Sequence, residues 1–135
     1  MAPSITIPQT AIRIKNLQTG RLLYDNTSKG LLSWQESTNA DGYWFITPVA
    51  DNVYKIKNQL SGNNIYYNVS AQKPLTWQDT ANEDGKWEIV PVNDTTFKIR
   101  NIYTPGIFLF DNPSRGVIGY HDNNATDGIW SILPN

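Results

Sequence analysis

Few residues of this chain could carry out covalent chemistry. The 135 residues contain one histidine, His121, and no cysteine. These residues cannot form the usual pairs of a nucleophile and a base, and a lone histidine does not make a metal site. Carboxylates are then the only catalytic option, and no two of them stand in a pattern that defines an acid and base pair. We therefore predict that the protein is not an enzyme, has no catalytic residues, and uses neither a metal nor a cofactor.

Aromatic and polar residues, in contrast, recur in matched sets. A large aromatic residue followed by two polar residues occurs three times at a spacing of 43 residues, in Trp34-Gln35-Glu36, Trp77-Gln78-Asp79 and Tyr120-His121-Asp122. The polar residues after each ring indicate a strand end that is open to solvent. A large aromatic side chain is unfavourable there unless another group stacks on it, and half-buried packing is the alternative interpretation.

The same spacing divides the whole chain into three repeats. The tetrapeptide Asp-Gly-x-Trp occurs three times at intervals of 43 residues, ending at Trp44, Trp87 and Trp130. A second motif of alternating basic and isoleucine residues recurs as Arg13-Ile14-Lys15-Asn16, Lys55-Ile56-Lys57-Asn58 and Lys98-Ile99-Arg100-Asn101. We therefore predict an N-terminal segment of residues 1–10 and one domain of residues 11–135, made of repeats 11–52, 53–95 and 96–135.

The elements that carry these motifs are predicted to be strands. Apolar and basic residues alternate in segments such as 11–15 and 53–57, which is typical of a strand with one buried face. Turn residues, including three Asp-Gly pairs, interrupt the chain at short intervals, and no long stretch has a helical period. The pattern predicts an all-β domain of about twelve short strands, in which closure or threefold symmetry removes exposed sheet edges.

The repeats resemble those of a known fold family. Units of about 43 residues, each with a strand that ends in an aromatic-Asp pair (Tyr67-Asn68 in the second unit), a central aromatic residue and a closing Trp, resemble the β-trefoil and, within it, the ricin-B-like (R-type) lectins. The resemblance covers residues 11–134, although the family's Gln-x-Trp motif is replaced here by Gly-x-Trp after an Asp. It implies a β-trefoil fold in which the closing residues Trp44, Trp87 and Trp130 lie in the core.

The resemblance also implies one sugar-binding site in each repeat. Carried over by position, the sites comprise Asp25, Trp34, Asn39 and Asp41, then Asn68, Trp77, Asn82 and Asp84, then Asp111, Tyr120, Asn124 and Asp127. A carboxylate accepts sugar hydroxyls more strongly than an amide does, so the second site, with Asn68 in place of an Asp, is expected to be the weakest. Turn and packing roles are the alternatives at these positions.

The implied function is that of a lectin that binds glycans multivalently, with terminal sugars of galactose, N-acetylgalactosamine or other type on glycoproteins or glycolipids as partners, and a possible homodimer. The alternative is a β-trefoil protease inhibitor or related defence protein, but the nearly equal repeats favour the lectin. The net charge of -1 argues against nucleic acid as a partner. No apolar run approaches the roughly 20 residues that cross a bilayer, and no secretory signal is visible, so a cytoplasmic or non-classically secreted protein is expected.

Overall fold

The structure, a computed structural model, describes residues 5–26, 30–35, 39–78, 82–112, 114–121 and 124–134. Twelve strands lie in these ranges, four in each repeat, as the alternating pattern predicts. They are β1 (Ile12–Asn16), β2 (Leu22–Asn26), β3 (Gly30–Trp34), β4 (Trp44–Ala50), β5 (Val53–Asn58), β6 (Asn64–Asn68), β7 (Lys73–Trp77), β8 (Trp87–Pro91), β9 (Thr96–Asn101), β10 (Phe108–Asn112), β11 (Gly116–Tyr120) and β12 (Trp130–Pro134).

Each repeat also contains a short helical turn. The third and fourth strands of a repeat are joined by nine residues that include a 3₁₀ helix, at Ala40–Gly42, Glu83–Gly85 or Thr126–Gly128. These helices contain the Asp-Gly pairs of the repeated tetrapeptide, so the pairs form turns as expected. No other helix occurs in the described part of the chain.

Six of the strands form a closed barrel. β1 pairs with β4 and β12, β5 pairs with β4 and β8, and β9 pairs with β8 and β12, all antiparallel. Isoleucines face each other across three of these pairs, as Ile14 with Ile132, Ile46 with Ile56 and Ile89 with Ile99. Because each of the six strands has a neighbour on both sides, the barrel has no free edge.

The other six strands form three hairpins, β2–β3, β6–β7 and β10–β11, which cover one end of the barrel. Each hairpin joins its barrel strand through one residue pair, Lys15 with Leu22, Lys57 with Asn64 or Arg100 with Phe108. The hairpins contact one another through β3, β7 and β11. A six-stranded barrel capped by three hairpins is a β-trefoil, which confirms the expected fold class.

The closing tryptophans lie in the core, as expected. Trp44, Trp87 and Trp130 are each 0% exposed. Their indole Nε1 atoms donate hydrogen bonds of 3.0, 2.8 and 3.0 Å to carbonyl oxygens of the second strand in the same repeat, at Leu23, Ile65 and Leu109. Each ring therefore joins its hairpin to the barrel while its one polar atom is satisfied. Two residues of the N-terminal segment, Ile5 and Ile7, pack against this core.

A buried asparagine at the end of the first strand in each repeat fixes the helical turns. Asn16, Asn58 and Asn101 are at most 1% exposed. Each side-chain amide donates to a carbonyl oxygen in the turn of the neighbouring repeat, with distances of 2.8, 2.8 and 3.0 Å to Asp127, Asp41 and Asp84. Each Oδ1 atom accepts backbone N–H groups of the following loop. The turns that carry candidate site residues are thus held from the next repeat.

Candidate functional site

The three aromatic residues expected to face solvent do so. Trp34, Trp77 and Tyr120 are the last residues of β3, β7 and β11. They are 57%, 58% and 47% exposed, respectively. Each repeat thus has an exposed aromatic ring at the same structural position, and its flat apolar face keeps these rings candidates for ligand contact.

Asp25 does not face solvent, contrary to expectation. It is 3% exposed, and both carboxylate oxygens accept hydrogen bonds from the second repeat. Oδ1 accepts from the Thr76 hydroxyl at 2.6 Å, and Oδ2 accepts from the Ser61 hydroxyl and from the Asn63 amide at 3.3 Å. A buried carboxylate requires such partners. Asp25 therefore joins the first repeat to the second and has no oxygen free for a sugar.

Asp111 has the same role between the third and first repeats. It is 0% exposed, and its two carboxylate oxygens accept from the Thr19 hydroxyl at 2.5 Å and the Ser33 hydroxyl at 2.6 Å. The expectation that Asp25 and Asp111 bind sugar hydroxyls is corrected by this geometry, because their hydrogen bonds are made inside the protein.

Asn68 is not the structural counterpart of these two aspartates. It is the last residue of β6 and pairs with Lys73, just as Asn26 pairs with Gly30 and Asn112 with Gly116. The turn between β6 and β7 has one residue more than the other two hairpin turns, so the spacing from β2 to β6 is 42 residues rather than 43. Asn68 is therefore a turn residue, and its Oδ1 accepts the backbone N–H of Ala71 at 2.8 Å.

Tyr67 occupies the buried position that Asp25 and Asp111 hold in the other repeats. It is 5% exposed, and burial raises the pKa of its phenol. Its ring lies against Gly119, where a Cβ atom would be 2.6 Å from Cε1 of Tyr67. Gly119 matches Ser33 and Thr76 by pairing, so an aromatic contact replaces a hydroxyl and carboxylate pair at this junction.

At the third junction, between the second and third repeats, the hydroxyl of Thr104 lacks, among the described residues, the carboxylate partner found at the other two junctions. It follows Asn101 by three residues, as Thr19 follows Asn16 and Ser61 follows Asn58. Its Oγ1 atom is buried and has no hydrogen-bond partner among the described residues. The hydroxyl that reaches a carboxylate at the other two junctions is left unpaired here.

A cleft of about 250 Å³ lies in the first repeat, between the β2–β3 hairpin and the helical turn. Three of the four residues predicted for this repeat, Trp34, Asn39 and Asp41, line it together with Tyr24. Asn39 precedes the 3₁₀ helix and Asp41 is its middle residue, and neither side chain is buried. The turn is held by the hydrogen bond from Asn58 to the Asp41 carbonyl oxygen, so the polar groups of the cleft have a fixed frame.

A second cleft, of about 450 Å³, lies at the equivalent place in the second repeat. It is lined by Asn82, which precedes the 3₁₀ helix, and by Asp84, which is the middle residue of that helix. It is also lined by Tyr66, which matches Tyr24 in the strand pairing. Two repeats thus present the same three residue types, Tyr, Asn and Asp, from the same three structural positions.

Other residues distinguish this second cleft from the first. Asn68 lines it and donates from Nδ2 to the Tyr66 hydroxyl at 3.4 Å. Tyr103, from the loop between β9 and β10 in the third repeat, lines it as well and is 63% exposed. Trp77 is not among the described residues that line this cleft, in contrast to Trp34 in the first.

The third repeat departs from this arrangement at the position of the asparagine. The residue that precedes its 3₁₀ helix is Ala125, not Asn124. Asn124 stands one residue earlier and its Oδ1 accepts a 2.8 Å hydrogen bond from Lys98 Nζ. The expected equivalence of Asn124 with Asn39 and Asn82 is therefore off by one residue.

The third repeat also differs in how an aromatic ring meets the turn. Phe110 matches Tyr24 and Tyr66 but is 3% exposed, and its ring lies against Gly128, where a Cβ atom would be 2.5 Å from Cε2. At Gly42 and Gly85 the nearest atoms are 3.7 and 3.9 Å from such a Cβ, and no ring carbon is among them. Oδ1 of Asp127 is buried and has no hydrogen-bond partner among the described residues.

Tyr120 packs on its own neighbours. Its ring meets the Phe110 ring edge to face, with the ring centroids 6.4 Å apart. The centroid of the His121 ring lies 4.0 Å from that of the Tyr120 ring. Tyr120 thus remains 47% exposed but is already in contact with two rings.

The clefts combine hydrogen-bonding groups with aromatic rings. Each offers a carboxylate acceptor, an amide that donates and accepts, a phenol and an exposed aromatic face. Such a set suits a ligand with several hydroxyl groups and one apolar face.

The described residues include no group of three or more His, Cys, Asp or Glu side chains placed to hold a metal ion. Across the same ranges, no helix has the length and hydropathy to span a membrane.

Sequence reasoning missed the tyrosines of the clefts. Tyr24 and Tyr66 stand one and two residues before the positions taken as sugar acceptors, and period-2 alternation places Tyr24 and Asp25 on opposite strand faces. That alternation is the signal that could have identified Tyr24, rather than Asp25, as the partly exposed residue at this strand end. Tyr103 has no such signal, because it reaches the second cleft from another repeat.

Comparison with known proteins agrees with this description. The family model of the ricin-type beta-trefoil lectin domain-like proteins matches residues 44–117, so the chain belongs to that family. No curated protein sequence matches it significantly.

Solved structures show the same fold at low sequence identity. The BEL beta-trefoil, in an apo crystal form, is 16% identical with a TM-score of 0.85, and 98% of each chain is covered. The Polyporus squamosus lectin bound to the epitope Neu5Aca2-6Galb1-4GlcNAc is 20% identical with a TM-score of 0.83, over 96% of this chain and 50% of that one. SeviL bound to asialo-GM1 saccharide is 14% identical with a TM-score of 0.79, over 94% and 98%.

Proposed function

We propose that this protein is a lectin with two glycan-binding clefts, one in the first repeat and one in the second. The observation that carries the proposal is the repeated set of Tyr, Asn and Asp at matching positions, which lines a cleft in both repeats. The family supports carbohydrate binding in general, and two of the solved neighbours are bound to glycans.

The groups of each cleft have complementary roles toward a sugar ring. Asp41 and Asp84 accept hydrogen bonds from neighbouring hydroxyls, and charge assistance makes these bonds stronger than neutral ones. Asn39 and Asn82 accept from one hydroxyl and donate to another oxygen. The ring of Trp34 offers a flat apolar face to the C–H groups of the sugar in the first cleft.

The third repeat does not contribute a site in this proposal. Phe110 lies against the turn, and Ala125 supplies neither the amide nor any other polar side chain. The sites are therefore those of the first and second repeats, whereas the resemblance implied a site in each repeat with the second as the weakest. Two sites per chain still raise avidity on a surface that carries many glycans.

We propose further that the protein binds sugars without cleaving them. Cleavage requires two carboxyl groups that flank the bond. Asp41 is the one carboxylate among the described residues that line the first cleft. In the second cleft Glu83 is paired with Lys86, with 2.6 Å between Oε1 and Nζ.

The nine-residue connections that carry the turns have equal length in the three repeats, whereas a protease inhibitor needs one distinctive loop.

A glycan array tests the proposal. The purified protein should bind a subset of the glycans, and the double variant Asp41→Ala/Asp84→Ala should lose at least about tenfold in affinity, since each site loses charge-assisted hydrogen bonds. The matched control is Asp127→Ala, at the third turn, which should bind like the wild type. Circular dichroism would verify that both variants are folded. The proposal fails if the wild type binds no glycan, or if Asp127→Ala weakens binding as much as the double variant.

A further inference from the structure

The two clefts differ in size and in the repeats that build them. The second has nearly twice the volume of the first, about 450 against 250 Å³. The described residues that line the first cleft all belong to the first repeat. The second cleft adds Val69 and Ser70 from the turn between β6 and β7, and Tyr103 from the third repeat.

Tyr103 has no aromatic counterpart in the other repeats. Counted from Asn16, Asn58 and Asn101, the matching residues are Gln18 and Leu60. Gln18 accepts a 2.5 Å hydrogen bond from the Thr126 hydroxyl, and Leu60 is not among the described residues that line the first cleft. Tyr103 is thus the one residue of this loop position that reaches a described cleft.

The side chain of Tyr103 is largely exposed to solvent. At 63% exposed, most of the ring is in contact with solvent and little of it stabilises the fold. A tyrosine offers a flat apolar face together with a hydroxyl that donates and accepts, which suits a second sugar ring as well as the first. Glu83 at the same cleft is ion-paired with Lys86, so Asp84 is the carboxylate of this cleft that has no described ion pair and can accept sugar hydroxyls.

Resting on the proposed lectin function, we infer that the second cleft binds two linked sugar rings, whereas the first binds one terminal ring. The first ring lies against the shared residues Tyr66, Asn82 and Asp84. The second ring lies in the added volume and packs on Tyr103. Tyr103 is then the residue by which this protein prefers a disaccharide over its terminal monosaccharide.

The test compares matched sugars at a single cleft. The probes are galactose with lactose, N-acetylglucosamine with chitobiose, and glucose with cellobiose. The side-chain amide signals of Asn39 and Asn82 in a heteronuclear NMR spectrum report on the first and second clefts separately. In the wild type, the Asn82 signal should titrate with at least one disaccharide at several-fold lower concentration than with its monosaccharide, and the Asn39 signal should respond about equally to both.

Variants then assign the preference. Tyr103→Ala should weaken disaccharide binding at Asn82 on the order of fivefold and leave monosaccharide binding within about twofold, while Tyr103→Phe retains most of the preference. The control Leu60→Ala, at the matching loop position, should change neither. Equal loss for both sugars in Tyr103→Ala, or no loss, would overturn the inference while the lectin function stands. If no probe shifts either amide and the array also shows no binding, both proposals are wrong. If the array shows binding but none of these probes shifts Asn82, the two-ring inference alone is overturned.

Discussion

The third repeat shares its buried framework with the first two repeats but differs from them at the surface. Its closing residue Trp130 has the same burial and the same indole hydrogen bond as Trp44 and Trp87. Its turn is held by a buried asparagine, as the other turns are. Yet Phe110 and Ala125 stand where the clefts of the other repeats have tyrosine and asparagine.

The difference shows that the fold and the proposed binding clefts depend on separate positions. The barrel and its cap require the tryptophans and the buried asparagines, which all three repeats retain. The Tyr, Asn and Asp residues that the two clefts share are not buried, so one repeat can differ at these positions without losing its structure. The same holds at the junctions, where the fold tolerates Tyr67 and Gly119 in place of a carboxylate and a hydroxyl.

Substitution of the closing tryptophans tests whether the buried framework is equally important in the three repeats, and it should have the largest effect. Trp44→Ala, Trp87→Ala and Trp130→Ala should each lower the free energy of unfolding by about 3 to 5 kcal/mol, because each removes a fully buried ring and leaves a cavity. Urea denaturation of the three variants gives this value. A loss under about 1 kcal/mol at Trp130 would show that the third repeat is not held like the other two.

The next effect would distinguish the junctions from the clefts. Asp25→Asn and Asp111→Asn should each lower the free energy of unfolding by about 1 to 3 kcal/mol, because an amide presents a donor where the carboxylate accepts hydroxyl groups. Glycan binding should be unchanged in the folded variants. The control is Asn68→Asp, at a partly exposed turn residue, whose stability should stay within about 0.5 kcal/mol. Loss of glycan binding with full stability in Asp25→Asn would return the carboxylate to the site.

A matched pair of threonines gives a smaller and sharper contrast. Thr19→Val removes the hydroxyl that donates to Asp111 and should lower the free energy of unfolding by about 1 to 2 kcal/mol. Thr104→Val makes the same change at the matching position, where the hydroxyl has no described partner, and should be neutral or stabilising. Thermal denaturation under one condition compares the two. Equal destabilisation would mean that the third junction is as polar as the others.

The smallest effect concerns the tyrosine at the third junction. Burial raises the pKa of Tyr67 above 10.0, so the folded state retains the phenolic proton more strongly than the unfolded state does. This contribution to stability is complete below about pH 10 and is lost as the pH rises through the folded-state pKa. Tyr67→Phe has no such proton, so the wild type should lose more stability than the variant between pH 8 and pH 10.5 in urea denaturation. Parallel loss in the two proteins would show that burial does not raise the pKa of Tyr67.

The sequence was sufficient for the features that all three repeats must share. The alternation of Ile12-Arg13-Ile14 and its counterparts predicts strands, and the 43-residue spacing of the tryptophans predicts a threefold domain. Both follow from burial, which selects residue types strongly and leaves the same pattern in every repeat. The fold and its core tryptophans were therefore predictable.

The site was predictable only in part. Trp34, Asn39 and Asp41 line one cleft as expected, and so do Asn82 and Asp84 in the other. The carboxylates were misassigned because the sequence does not show the hydroxyl groups that a neighbouring repeat supplies to a buried Asp, and because the alternation that places Asp25 opposite Tyr24 was not applied to this strand end. The Asn68 alignment was wrong because one added turn residue shifts the register of a strand, which a fixed spacing cannot reveal.

We expect glycans to bind at the first and second repeats and not at the third. The last residues of the three 3₁₀ helices are Gly42, Gly85 and Gly128. Their backbone amides are equivalent NMR reporters of the three turns. In a heteronuclear NMR titration with a glycan that the array identifies, the signals of Gly42 and Gly85 should shift in a saturable manner, while that of Gly128 should remain in place. A saturable shift of Gly128, or the absence of any shift of Gly42 or Gly85, would contradict binding at the first and second repeats alone.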